Sequence, residues 1–478
     1  MISFIISFIA LILGYFIYGK VVERIFGPDD RPTPAVLHPD GVDYIAMPTW
    51  KVFMIQFLNI AGTGPIFGAI MGAWFGPASF LWIVLGCIFA GSVHDYISGM
   101  MSLRHDGAGL PQLVGNYMGR TIRVIMLVFS LMLLLMVGAV FVYSPASILA
   151  SIGGSQVFWY IVILIYYIIA TLLPIDKVIG KIYPLFAIAL IFMALGLLVA
   201  LLIKMPKLPE VWEIGAGMES WMTAQSHNGV DLLGVKSYFI KNPMFPAMFI
   251  TIACGAISGF HATQSPLMAR CLKSEKLGRP VFYGSMITEG MVALVWAAVS
   301  SWFFYSGGWR EVMPQEAVNE FLAQTANTDG KTLIQYFNAP AVVHLVCSSW
   351  LGVAGGVLAM LGVVAAPITS GDTALRSARL IIAEFTHLDQ KPIVKRLAIA
   401  IPIFAAVLLL LIWQLTNPNG FNVLWQYFGW NNQTLSVFTL WTATIFLYKY
   451  KKCYWITLIP AIFMTVVCTS FILMPLFN

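Results

Sequence analysis

Apolar residues run along this chain in long stretches parted by short polar turns, and the stretches do not alternate. Segments such as "IYPLFAIALIFMALGLLVALLI" are continuous, whereas a transmembrane β-barrel reads as short segments of alternating character. Runs of roughly 18 residues or more match the hydrocarbon thickness of a bilayer. The pattern predicts an all-α polytopic membrane protein with about twelve transmembrane helices, near 1–18, 52–76, 78–103, 121–147, 156–174, 182–203, 243–269, 280–305, 341–372, 395–416, 427–448 and 453–476.

Two of these segments are interrupted in the middle. "NIAGTGPIFG" breaks the second with Asn59, Gly62, Thr63, Gly64 and Pro65. "GAISGFHATQSP" breaks the seventh with Ser258, His261, Thr263, Gln264, Ser265 and Pro266. Aligned on their prolines, each break predicts a half-helix that restarts at Pro, whose missing N–H is unneeded in a first turn. Gly68, Gly72 and Gly76 continue a four-residue spacing from Gly64 and predict close helix packing.

The breaks lie in the second and seventh segments, so the repeat unit is five helices, and an odd unit inverts its orientation. The chain then divides into an additional N-terminal helix (1–18), a five-helix repeat (52–203), an inverted five-helix repeat (243–448) and an additional C-terminal helix (453–476). Inverted repeats that each open with a discontinuous helix are the pattern of secondary transporters with a midplane site. The broken backbone marks Asn59, Gly62, Thr63, Gly64, Ser258, His261, Thr263, Gln264 and Ser265 as substrate-binding candidates.

Composition agrees with the membrane class: 59% of residues are hydrophobic and 10% charged. Charge sets the orientation, because cytoplasmic loops carry the excess of Lys and Arg. Of the 27 basic residues, only Lys204, Lys207, Lys236, Lys241, Arg310 and Lys331 fall on the side of the two long loops. Both termini are therefore expected outside a cell membrane, and the first helix is read as uncleaved. The net charge of +6 follows from this asymmetry and implies no nucleic-acid partner. The six cysteines show no metal or disulfide spacing and are read as packing residues, so no metal and no cofactor are expected.

Ionisable residues inside a membrane are expensive and mark function. His94 and Asp95 lie in the third segment, Glu289 in the eighth, His261 in the second break, and Asp372 ends the ninth. Glu289 has no basic residue within a helical turn, which favours a protonatable acid. Asp372 is read as a helix cap, a partner of Arg376, or a coupling residue. No Lys or Arg is expected at depth, so an anionic substrate must be held by half-helix N-termini, hydroxyls and His261. That favours a small carboxylate or zwitterion. No HExxH, GxSxG or paired-Cys motif occurs, which leaves no basis for an enzyme.

"QFLNIAGTGPIFGAIMGAWFGP", "LWIVLGCIFAGSVHDYISGMMSLRHDG", "GAISGFHATQSP", "ITSGDTALRSAR" and "LWQYFGWNNQ" resemble the carbon starvation protein A (CstA) family, over about residues 12 to 440. The resemblance implies a LeuT-like fold of the APC superfamily, with import of peptides or a pyruvate-like carboxylate, coupled to protons. In LeuT-like folds sodium binds between the first and eighth core helices, which here implies Thr369, Ser370 and Thr373. Proton coupling through His94, Asp95 or Glu289 is the first expectation, a sodium symporter the second, and a nutrient sensor without flux the third. The expected partners are a small-molecule substrate and membrane lipid, with no obligate protein partner. By fold analogy the outer loop 306–340 is a lid, and the Pro-rich loop near 25–50 packs against the inner face.

Overall fold

The computed structural model describes all residues except 173–178, 228–229, 326–330, 389, 391, 418–419 and 475–478. Lys177 and Lys391 of the charge pattern, and the ends of the expected segments 156–174 and 453–476, lie outside the described residues.

The described chain is helical apart from one small antiparallel strand pair, Ser226–His227 with Val230–Asp231. Its principal helices, in order, are α1 (Ile2–Phe26), α2 (Thr49–Ile60), α3 (Gly64–Phe75), α4 (Ala78–Arg104), α5 (Arg120–Ile152), α6 (Gln156–Leu172) and α7 (Ile179–Lys204). There follow α8 (Met244–Thr251), α9 (Gly259–Ala269), α10 (Glu275–Tyr305), α11 (Ala339–Trp350) and α12 (Gly352–Thr386). The last three are α13 (Ile393–Thr416), α14 (Gly420–Lys449) and α15 (Trp455–Leu473). Among the described residues eight helices are long and apolar enough to cross a membrane: α1, α4, α5, α7, α10, α12, α13 and α15. A ninth span is the pair α2–α3, bent by 53°. The other three expected segments are helical, but α6 has 17 residues, α8–α9 is interrupted, and α14 carries Asn431, Asn432 and Gln433 in its middle.

Burial separates scaffold from periphery. Within the spans, 89% of the most apolar window of α10, 83% of that of α4 and 81% of that of α12 is buried, against 33% for α1, α7, α13 and α15. The helices that carry the ionisable residues are thus the central ones.

Two boundaries differ from the sequence expectation. The ninth segment does not end at 372: Ala339–Trp350 turns at Leu351, and α12 continues to Thr386. Thr369, Ser370, Asp372 and Thr373 therefore sit in mid-helix, and Arg376 and Arg379, expected outside the span, lie within it and are fully buried. Long Arg side chains read as a helix end, but here a loop carboxylate reaches them (below).

The second break is also displaced. The first lies at Ala61–Thr63, with Pro65 in the first turn of α3 as expected. The second spans Ile252 to Ser258, where Ser258 is extended (φ −143°, ψ 123°), and α9 restarts at Gly259. Pro266 is inside α9; it deletes a bond to the Ala262 carbonyl without ending the helix. Thr263, Gln264 and Ser265 consequently lie within the half-helix and not at its start.

The two broken segments pack against each other. A Cβ on Gly64 would stand 2.3 Å from Cys254 Sγ, on Gly68 2.9 Å from the Thr251 carbonyl, and on Gly72 2.2 Å from Ile252. The glycine stripe is the surface on which α3 meets the α8 side of the second break.

The basic loops gather on one face. Arg104 pairs with Glu275 (2.9 Å) and donates to the Gly27 carbonyl (2.9 Å), and Glu275 also accepts from the Asp29 N–H (3.0 Å). The loop 27–48 lies along this face, with Thr33 Oγ1 donating to the Leu272 carbonyl (2.6 Å) and Met47 N–H to that of Cys271 (3.1 Å). On the opposite face the N-terminal ammonium meets the Glu210 carboxylate, which also accepts from Ser3 N–H (2.7 Å). The two long loops there join through Leu333 N–H to the Leu232 carbonyl (2.7 Å). All six cysteines are free, and five are buried, but Cys453 is exposed and is no packing residue.

Candidate functional site

α4, α9 and α10 bring four of the ionisable residues into one buried chain. Asp95 accepts from His94 Nδ1 on one carboxylate oxygen and from His261 Nδ1 on the other, each at 2.8 Å. His261 Nε2 stands 3.4 Å from Glu289 Oε2. All four side chains are fully buried. In a neutral His261 whose Nδ1 donates to Asp95, Nε2 presents a lone pair to Glu289. A protonated Glu289 can donate to it, or the proton can move onto the ring. Asp95 and Glu289, which the sequence could place only on one side of the membrane, are thus joined through His261. Within α4, a π-helical turn at Cys87–Gly91 directly precedes the stretch Ser92–Arg104 that carries His94 and Asp95, a distortion often found at functional sites.

His261 owes its position to the start of α9. The N–H groups of a first helical turn need partners. Asn432 of α14 supplies one: its Oδ1 accepts from Phe260 N–H (2.7 Å) and from Ser258 Oγ (3.0 Å). Sequence reasoning did not single out Asn432. The signal was present in the three successive amides of "WNNQ" inside an apolar segment, since buried polar groups at membrane depth need partners.

The substrate candidates divide. Both polar atoms of the Asn59 side chain, Thr63 Oγ1 and Gln264 Oε1 are buried without a hydrogen-bond partner. Gln264 Nε2 donates to Thr263 Oγ1 (2.8 Å), and Ser265 Oγ to the His261 carbonyl (3.0 Å). Gly62 sits against Phe141 and Ser370: a Cβ there would come within 2.8 Å and 3.1 Å of them.

α12 meets the first break at Ser370, whose Oγ donates to the Leu58 carbonyl (3.1 Å). Thr369 donates to Ala365 (2.9 Å) and Thr373 to Thr369 (3.1 Å) along their own helix, leaving oxygen lone pairs available. Asp372 accepts the Tyr183 hydroxyl (2.6 Å). Among the described residues no hydrogen bond or ion pair joins Asp372 to the histidine chain. Arg376 instead reaches Asp43 of the loop (3.2 Å) and the Ala170 carbonyl (2.6 Å).

Cys254 Sγ, a His261 nitrogen and a Glu289 oxygen lie within 4.8 Å of one another. Tetrahedral zinc brings its ligand atoms to roughly 3.3–3.8 Å; Cys254 Sγ here approaches Ser258 Oγ (3.6 Å) and Asn432 Nδ2 (3.8 Å), while His261 Nε2 and both Glu289 oxygens have no hydrogen-bond partner. Two cavities lie elsewhere. One, of about 740 Å³, is bounded by Leu149, Trp159, His344 and Met360. The other, of about 560 Å³, opens on the basic face beside Asp43, Arg270 and Glu384.

Three stretches, 1–155, 142–341 and 339–471, match the family model described as carbon starvation protein CstA. The chain belongs to the CstA family. Among its relatives, an uncharacterized membrane protein of Haemophilus influenzae is 45% identical over 345 residues, covering 64% of this chain and 91% of that protein. The peptide transporter CstA of Escherichia coli is 26% identical, covering 96% of this chain and 78% of that one. The peptide transporter CstA of Campylobacter jejuni is 25% identical, with 95% and 77% covered. Among solved structures, an Eremococcus coleocola manganese transporter superposes with TM-score 0.56 at 12% identity, covering 91% of this chain and 90% of that one. A Na⁺-coupled sialic acid symporter gives 0.51 at 14%, with 98% and 97% covered. At such identities the likeness is one of fold. The two CstA relatives are named peptide transporters, and both structural neighbours are transporters.

Proposed function

We propose that this CstA-family protein is a secondary active transporter that imports peptides or a small carboxylate such as pyruvate across the cell membrane, coupled to protons, by alternating access. The observation that carries this reading is the buried chain His94–Asp95–His261–Glu289 beside the second broken helix. Two buried carboxylates facing no Lys or Arg cannot both stay charged without a penalty of several kcal/mol, so the chain holds at least one proton. His261 links them, taking a proton from Glu289 on Nε2 while Asp95 steadies the ring through Nδ1.

The substrate, on this reading, sits between the two breaks, near the unpartnered Asn59 side chain, Thr63 Oγ1 and Gln264 Oε1. The units 52–203 and 243–448 act as the inverted halves of a LeuT-like fold, the basic face is cytoplasmic, and both termini are outside. The joined outer loops act as the lid. A sodium-coupled alternative is favoured by one observation, Ser370 Oγ against the Leu58 carbonyl at the first break, with Thr369 and Thr373 on the same helix.

Uptake of labelled pyruvate and of a labelled dipeptide into proteoliposomes, under a proton gradient and separately under a sodium gradient, tests the proposal. Accumulation driven by the proton gradient supports it. Accumulation driven only by sodium transfers coupling to Ser370 and its neighbours, and absence of flux under either gradient moves the protein toward a sensor.

A further inference from the structure

The sequence holds no Lys or Arg that reads as buried at depth, yet α12 places two there. Arg376 and Arg379 are fully buried. They stand four and seven residues beyond Asp372, about 6 Å and about 10 Å farther along the helix toward the basic face. Arg376 is held by Asp43 and the Ala170 carbonyl. Arg379 is less well served: Nη1 donates to Gln390 (2.6 Å), Nη2 stands 3.7 Å from Asp43 Oδ2, and Nε and Nη2 have no hydrogen-bond partner.

A buried guanidinium with unused donors is costly, and its planar fork is shaped for a carboxylate. One carboxylate already lies between the two arginines, but it is borne by a loop and not by a neighbouring helix. Asp43 belongs to the segment 27–48, which lies along the basic face, with Thr33 Oγ1 donating to the Leu272 carbonyl and Met47 N–H to that of Cys271. The 560 Å³ cavity opens beside Asp43, next to Arg270, Glu384 and Gln390, and has room for a small acid or a dipeptide.

We propose that Arg376 and Arg379 form a carboxylate-binding site at the inner end of the transport path, filled in this structure by the tethered carboxylate of Asp43. A monocarboxylate, or the C-terminal carboxylate of a peptide, displaces Asp43 and releases the loop. Both ligands share the one feature the site recognises, an unesterified carboxylate. In its role this site rests on the transport reading above, but its existence is testable without flux.

Chemical rescue is the test. In Asp43→Ala the tether is gone and the two arginines remain. Acetate should raise the melting temperature of the purified variant by about 2 °C or more. Acetamide, which lacks the charge, should not; acetate should act more weakly on wild type, where Asp43 competes for the site, and not at all on the double variant with Arg379→Gln. An equal response of wild type and Asp43→Ala to acetate overturns the site.

Should Asp43→Ala fail to fold, the loop can be followed in the otherwise native protein. A Val42→Cys reporter in a Cys453→Ser background should react several-fold faster with a maleimide in the presence of pyruvate, and not with pyruvamide. An unchanged rate with pyruvate overturns the proposal. Acetate rescue without pyruvate or dipeptide flux would sink the transport reading and keep the site; flux without rescue would sink the site and keep the transport reading.

Discussion

Replacing Glu289 with Gln isolates the proton step from the fold. Glu289 is fully buried, neither of its oxygens has a hydrogen-bond partner, and Oε2 stands 3.4 Å from His261 Nε2. Gln keeps the shape, removes a buried ionisable group, and can donate its amide N–H to that nitrogen, a neutral bond worth about 0.5–1.5 kcal/mol. The variant should therefore melt at or above the wild-type temperature. Its transport should change in kind. One titrating carboxyl at this end of the chain implies one proton per turnover, and one proton across a difference of one pH unit supplies about 1.4 kcal/mol, enough for about tenfold accumulation of a co-transported neutral species. In proteoliposomes with such an imposed difference and no membrane potential, wild type should approach tenfold and Glu289→Gln a ratio near one. Exchange of labelled for unlabelled solute should persist in the variant, because no solute contact has been removed. A Glu289→Gln protein that still concentrates solute about tenfold refutes the assignment of the coupling proton to Glu289.

Other outcomes follow from named contacts. Asn432→Ala removes the acceptor of the Phe260 N–H and the Ser258 hydroxyl, so it should destabilise the protein by about 1–3 kcal/mol, seen as a lower melting temperature and weakened solute binding. Gly62→Leu drives a side chain into Phe141 and Ser370 and should abolish binding while membrane insertion stays normal; ordinary affinity would make the first break a mere kink. Burial pushes the Asp43 carboxyl up, but Arg376, Arg379 and Arg270 outweigh it and hold the group below its ordinary value of 3.8. A carboxyl depressed in the folded state contributes stability that is present above its ordinary value and lost as pH falls through the folded one. The destabilisation caused by Asp43→Asn, read by melting, should therefore be equal at pH 5.5 and 7.5 and shrink only in stronger acid. A variant whose destabilisation already fades between those two values contradicts the pairing.

Much of this protein was written in local pattern. Hydrocarbon solvates only apolar side chains, and the backbone must satisfy itself there, so membrane class, most helices and the break at Gly62–Pro65 follow from hydropathy and from Gly and Pro placement. The rarity of ionisable groups at depth likewise picked out His94, Asp95, His261 and Glu289 one by one. What tertiary structure alone decided was pairing. That His261 bridges Asp95 to Glu289, that Asn432 holds the start of α9, and that Pro266 sits harmlessly inside it, depend on which helix faces which. Arg376 and Arg379 read as a cytoplasmic end because sequence assigns a cost to each charge in isolation. Folding sets Asp43 against them from a segment far away in the chain, and once that partner is present the helix can carry its arginines inward to Thr386.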